Sequence, residues 1–202
     1  MTQRITHLVF DLGGVIVELN GTPILDAWIS GETTSELLWR KWLTSESPRS
    51  FESGLIGVDE FAEKIVRELS LGVSKEQFIE HFAGLPIGPY PGALELLHSL
   101  KNRYTTSLFS NSNVLHWERK MNEMKLDDAF HHKFASHLMG KVKPDLDAFQ
   151  EVERKLGVPS SQILFLDDNQ LNVDAAKSVG FIASRVVGFN SLKDVLKERG
   201  IS

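Results

Sequence analysis

The sequence predicts an α/β fold: a parallel sheet flanked by helices, with a helical segment inserted after the first strand. Three observations carry this. Five short apolar or β-branched runs end in small or polar residues. Amphipathic segments of helical spacing lie among the later runs, the pattern of βαβ units. Residues 19 to about 87 break that rhythm and read as consecutive helices.

The elements follow in chain order. "THLVFD" (6–11) reads as a buried first strand. The insert then offers four helical stretches, "TPILDAWIS", "SELLWRKWL", "VDEFAEKIVRELS" and "SKEQFIEHFAG", with no convincing strand among them. In the third, Phe61, Ile65 and Leu69 share a face, with Val58 a turn earlier. "LPIGPYPGA" (85–93), carrying Pro86, Pro89 and Pro91, reads as a hinge back to the α/β part. Helices are expected over "GALELLHSLKN" (92–102), "DLDAFQEVERKLG" (145–157) and "NVDAAKSVG" (172–180), the last two stopped by glycine. Strands are expected over "YTTSLFSN" (104–111), "HKFAS" (132–136), "QILFLDD" (162–168) and "FIASRVV" (181–187). The tail "NSLKDVLKERGIS" is an amphipathic end helix. The core is therefore expected at 1–18 and 88–202 and the insert at 19–87.

Composition narrows the function classes. A chain of 202 residues holds one sizeable domain, or a core with a smaller insert. Its 42% hydrophobic and 24% charged content is that of a soluble globular protein. A formal net charge of -5 argues against a broad nucleic-acid footprint. The absence of cysteine excludes disulfides, thiolate metal sites and cysteine nucleophiles, and suits a reducing cytoplasm. No apolar run approaches a membrane span, and the apolar stretch in "MTQRITHLVFDLGG" is too short for a signal peptide. A cytoplasmic monomer or homodimer, acting on a small molecule rather than on nucleic acid or membrane, is expected.

The chemistry gathers where strands end, because ligands of open parallel sheets bind at the carboxyl edge. Asp11 ends the first strand, Ser110 and Asn111 the next core strand, and Asp167 and Asp168 the fourth. Lys141 and Lys143 lie in "GKVKPDLDAF", ahead of a helix. A lone Asp after an apolar strand is an ordinary helix cap or turn former. Two adjacent acids after "ILFL", however, repel one another unless a cation or protons compensate. Together these groups make sense as a magnesium-assisted phosphoryl-transfer site. Mg²⁺ takes a few carboxylates plus substrate phosphate oxygens, and an aspartate can form an aspartyl-phosphate. A lysine balances the charge, and a hydroxyl and backbone N–H groups hold the oxygens. Gly14 is expected to let the backbone come close to those oxygens.

These residues carry a family resemblance. "VFDLGGVIVE", "SNSN", "KVKPD" and "FLDDNQLNVDAAKSVGF" resemble, in order, the four motifs of the haloacid dehalogenase superfamily of hydrolases. The likeness is greatest to bacterial glucose-1-phosphate phosphatases and to the N-terminal phosphatase domain of soluble epoxide hydrolase. It implies a Rossmann-like three-layer parallel-sheet core with a helical C1 cap inserted after strand 1. It also implies roles. Asp11 is nucleophile and metal ligand, and the Gly13 carbonyl is a second ligand. Asp168 binds Mg²⁺ directly and Asp167 through water. Ser110 binds the phosphoryl group with help from the Asn111 backbone. Lys143, next to Pro144, is the motif lysine in preference to Lys141.

The sequence departs from the family at Gly13. Most phosphatases of the superfamily carry there a second Asp, the general acid and base, a term worth typically ~10²–10⁴ in rate. Three readings follow: a phosphatase that finds its proton elsewhere or uses an easy leaving group, a dehalogenase, or a non-catalytic binding or regulatory protein. A dehalogenase needs no metal, so paired Asp167 and Asp168 would be surplus. His116, Glu18 and Glu52 are the candidate replacement acids, and His116 is placed near the site by its spacing from Asn111. In the cap, Trp28, Trp39, Trp42 and Phe51 either stack on substrate or pack the helices, with packing expected for at least two of the tryptophans. Arg49 either meets a second anionic group or is solvated. His131 and His132 are adjacent, not three or four apart, and are expected to be structural or exposed.

Overall fold

The computed structural model describes residues 4–31 and 34–201. Residues 1–3 and 202 of the expected core, and 32–33 of the expected insert, lie outside that description. In order, the elements are β1 (His7–Phe10), β2 (Val17–Leu19), α1 (Ser35–Thr44), α2 (Glu46–Glu52), α3 (Val58–Glu68), α4 (Lys75–Ala83), β3 (Pro86–Pro89), α5 (Ala93–Lys101), β4 (Thr105–Ser110), α6 (Val114–Asn122), β5 (His132–Ala135), α7 (Ser136–Met139), α8 (Leu146–Leu156), β6 (Ile163–Asp167), α9 (Gln170–Ser178), β7 (Ile182–Arg185) and α10 (Gly188–Glu198).

The five expected strands form one sheet in the order β5-β4-β1-β6-β7, every neighbouring pair parallel. Both faces are covered, so the strands are apolar throughout instead of alternating. Leu8 and Phe10 of β1, with Leu164 and Leu166 of β6, pack against Leu97 of α5 and Leu192 and Leu196 of α10. Val9, Phe109 and Phe165 point the other way, onto Phe149 and Val152 of α8 and Val173 of α9. This is a three-layer Rossmann-like core. β1 lies between β4 and β6, where the direction of winding reverses and open sheets bind their ligands.

The insert has its own apolar centre. Trp42, Phe51, Phe61, Phe78 and Phe82 pack together, with Phe51 and Phe61 stacked at 4.3 Å between centroids. The face read from Phe61, Ile65, Leu69 and Val58 is the one that packs. Ser74 and Gln77 form a capping box that starts α4.

Three local expectations are corrected. "TPILDAWIS" is not a helix but a single 3₁₀ turn, Asp26–Trp28, with no side-chain cap. The Thr22 hydroxyl donates to the Ile24 carbonyl within the stretch, and the Thr22 carbonyl is bonded by the His81 ring of α4, contacts that take the place of helical bonding there. The hinge at 85–93 contains a strand: β3 pairs antiparallel with β2, Val17 opposite Pro89 and Leu19 opposite Pro86. Its prolines cannot donate to a ladder, which hides a strand from sequence patterning. Finally, α2 had no expected counterpart. Its first-turn N–H groups, on Glu46 and Ser47, donate to Glu68 of α3. The Ser47 hydroxyl donates to Glu68 as well. A carboxylate supplied by another helix thus does the work of a local cap.

Candidate active site

The turn after β1 is tied down tightly. Asp11 N–H donates to the Leu166 carbonyl at 2.8 Å, and Ile16 and Val17 N–H both donate to the Leu12 carbonyl. Asp11 therefore leaves the sheet at its carboxyl edge. Ser110 and Asp167 stand at the equivalent ends of the two flanking strands.

Lys143 reaches this edge from the loop before α8. Its ammonium donates to Asp11 Oδ1 at 2.8 Å, to Asp167 Oδ2 at 2.6 Å and to the Phe109 carbonyl at 2.9 Å. Its side chain is 2% exposed. The Phe109 and Phe165 rings lie beneath it, with centroids at 5.3 and 5.5 Å. Burial alone would lower the Lys143 pKa, but the Asp11 and Asp167 carboxylates more than reverse this and hold it above the ordinary lysine range. Asn111 fixes the lysine from behind: its amide donates to the Lys143 carbonyl and accepts from the Lys143 N–H. Asp167 is fully buried and fully engaged, accepting also from Asn169 N–H and from the Asn172 amide. Lys141 lies outside this centre, facing Asp147 on the surface.

Asp168 is different. Among the described residues, no ammonium or guanidinium lies within ion-pair distance of its carboxylate. Burial and the nearby Asp11 and Asp167 carboxylates push its pKa up to about 7. Carboxylate oxygens of Asp11, Asp167 and Asp168 all come within 4.8 Å of one another. Three converging carboxylates with one lysine between two of them form a hard, oxygen-rich donor set, which fits a small divalent cation.

The fold gives glycine at 14 a reason of its own. Gly14 has φ +70, and a Cβ built on it would collide with Asp168 Oδ2. Asp168 occupies the space that a side chain at 14 would need. Gly14→Ala is therefore expected to cost about 1–2 kcal/mol in backbone strain and to displace Asp168. Chemical denaturation and Mg²⁺ titration of the variant check this. Gly13→Ala, whose Cβ would meet the Leu19 side chain first, at 3.4 Å, should change both far less.

A cavity of about 730 Å³ lies over this edge, bounded by Asp11, Gly13, Ser110, Lys143 and Asp168 below and by Trp39 and Glu52 of the insert above. That volume suits a small organic ligand. Trp39 is the half-exposed aromatic of the lining. Trp42 and Phe51 are buried in the insert's centre, and Trp28 packs on Phe78 and His81. Arg49 forms an ion pair with Asp145 across the insert–core boundary and does not face the cavity. His131 and His132 are exposed, as expected.

His116 does not hold a free ring nitrogen. Its Nε2–H donates to the Phe82 carbonyl at 2.6 Å, and its Nδ1 accepts from the Asn113 amide at 3.3 Å. Burial and Lys120 push its pKa down to about 3, so it is neutral and unable to donate a proton by ionising. Its role is to fasten α6 to α4. Glu18 is exposed on β2, outside the cavity. Glu52 does reach the cavity. Lys120 went unread in the sequence. It is 4% exposed, lines the same cavity, and lies four residues after His116 on the buried face of α6. That spacing was its one visible signal.

A parallel core with an Asp–Lys–Asp centre at its carboxyl edge, under a helical insert, is the frame of a hydrolase. The chain belongs to the haloacid dehalogenase-like hydrolases, whose family model matches residues 5–180. It is 27% identical over 188 residues to a D-ribitol-5-phosphate phosphatase of Bacteroides thetaiotaomicron, covering 88% of this chain and 89% of that one. A predicted HAD-like family hydrolase from Porphyromonas gingivalis superposes with a TM-score of 0.78 at 25% identity, over 98% of both chains. A HAD-family enzyme of Bacteroides thetaiotaomicron, in complex with magnesium and inorganic phosphate, shares the fold with a TM-score of 0.71 over 90% of this chain and 94% of that one, at 24% identity. Among the described residues, no helix is long and apolar enough to cross a membrane.

Proposed function

We propose that the protein hydrolyses a small phosphomonoester through an aspartyl-phosphate on Asp11. The observation that carries this is the buried Lys143 bridge between Asp11 and Asp167, with Asp168 beside it at the floor of the cavity. The Asp11 carboxylate attacks phosphorus. Lys143 holds it in place through the 2.8 Å contact with Oδ1. Ser110 and the Asn111 backbone bind the phosphoryl oxygens, and the Asn111 side chain positions Lys143. Asp11, Asp168 and the Gly13 carbonyl would hold Mg²⁺, with Asp167 acting through water. When bound, the ion supplies positive charge to the phosphate oxygens. His116 is given no part in proton transfer.

The core is assigned to 1–18 and 88–202, and a C1 cap to 19–87, the latter choosing the substrate because the core edge meets mainly phosphate. Trp39 offers the cap's free aromatic face, and the ribitol-phosphate relative favours a sugar or polyol phosphate. The cysteine-free chain suits a reducing cytoplasm.

A phosphate-release panel of sugar and polyol phosphates, nucleotides, and flavin and pyridoxal phosphates tests this. Turnover with Mg²⁺ and its loss in EDTA is the expected result. Mg²⁺ binding without release from any ester would favour the non-catalytic reading instead.

A further inference from the structure

We propose that Glu52, delivered by the cap, is the proton donor and acceptor of this reaction, in the place that Gly13 leaves without a side chain. The inference rests on the phosphomonoesterase reading above.

The cap places Glu52 firmly. It ends α2, whose start is capped by Glu68. Its neighbour Phe51 is stacked on Phe61 in the cap's centre. Arg49, one turn earlier, is ion-paired to core Asp145. Two residues later, Gly54 has φ +76, and a Cβ there would lie 2.6 Å from the His137 carbonyl oxygen. The end of α2 is thus pressed onto the core backbone at α7, which only glycine permits.

From that position Glu52 lines the cavity shared by Asp11, Ser110, Asn111, Lys143 and Asp168. The charged groups acting on it are Lys120 of α6, Lys143 and Asp11. Lys120 is buried, and its ammonium makes one long hydrogen bond, 3.5 Å to Ser112 Oγ. It thereby stands ready to stabilise a carboxylate opposite. Burial raises the Glu52 pKa to about 7, against the pull of Lys120 and Lys143, so both forms exist near neutrality. The other acids do not qualify. Glu18 lies outside the cavity, Glu36 lines it from an exposed first turn of α1, and Asp11 and Asp168 belong to the nucleophile and metal donor set.

In the first step an Asp11 oxygen bonds to phosphorus and the ester P–O bond breaks. The Glu52 proton passes to the departing oxygen, giving the alcohol and a Glu52 carboxylate. In the second, a water oxygen bonds to phosphorus, its proton returns to Glu52, and the P–Oδ bond breaks. Phosphate leaves, and Asp11 and Glu52 regain their starting forms.

Glu52→Gln is compared with wild type on D-ribitol 5-phosphate and on p-nitrophenyl phosphate, whose leaving group needs no proton. The expected result is a fall of about 10²–10⁴ in kcat/KM on the alkyl ester. On the aryl ester kcat/KM should fall less than tenfold, while acid quenching traps accumulated phosphoenzyme because water activation is slowed. Mg²⁺ affinity, followed by tryptophan fluorescence, should not change. Adding Gly13→Asp to Glu52→Gln should restore the alkyl-ester rate at least tenfold, since the added Cβ meets only Leu19 at 3.4 Å. Equal losses on both esters without phosphoenzyme, or no loss at all, would overturn the assignment of Glu52. Failure of wild type on both esters would instead bring down the phosphatase reading beneath it.

Discussion

Asp11→Asn should abolish turnover, by about 10⁴-fold or more, with no phosphoenzyme on acid quenching at any time point. Loss of a covalent nucleophile costs on this scale because the remaining groups act through the intermediate it forms. The substitution keeps shape and removes the attacking charge. It should leave the fold intact, because Lys143 keeps Asp167 at 2.6 Å and the Phe109 carbonyl at 2.9 Å. A melting temperature within a few degrees of wild type, beside zero phosphate release, is the expected pair of readings. Appreciable turnover by this variant would place the nucleophile elsewhere.

Lys143→Met should be the most destabilising change at the site, by about 3–5 kcal/mol in chemical denaturation. Removing one partner of a buried ion pair leaves uncompensated charge in low dielectric. Here two carboxylates, 12% and 0% exposed at the side chain, would face one another without their shared cation. The Lys143 pKa is raised in the folded state. Its contribution is therefore fully present below the ordinary lysine value and is lost only as pH rises through the raised one. The whole difference is readable at neutral pH. Lys141→Met, on the surface facing Asp147 at 3.5 Å, should stay within about ±0.5 kcal/mol. Equal effects would mean that the buried bridge does not form.

The centre and its frame were largely visible in the chain. Parallel strands covered on both faces are written as unbroken apolar runs, and "THLVFD" and "QILFLDD" overrun β1 and β6 by one residue at each end. What ends such a strand must lie at the sheet's edge, so Asp11, Ser110 and Asp168 could be placed before any contact was known. Lys143 needed the family's order of motifs to be preferred over Lys141. The cap was less legible. The β2–β3 ribbon is masked by prolines, and the segment 22–30 looked helical, but the contacts of Thr22 with Ile24 and His81 take the place of helical bonding there.

Short-range pattern and order along the chain sufficed to place the parallel core, Asp11, Lys143, the acidic pair and the missing side chain at Gly13. Which candidate brings a carboxyl to the cavity depends on long-range contacts. The sequence offered His116, Glu18 and Glu52, and its spacing pointed to His116. Folding ties His116 to Phe82 and Asn113, leaves Glu18 outside the cavity, and brings Glu52 into its lining. The reason is physical. Glu52 sits on a helix whose start is capped from 21 and 22 residues away by Glu68, and whose end closes on the backbone of α7 at Gly54. Neither contact leaves a mark in the local sequence.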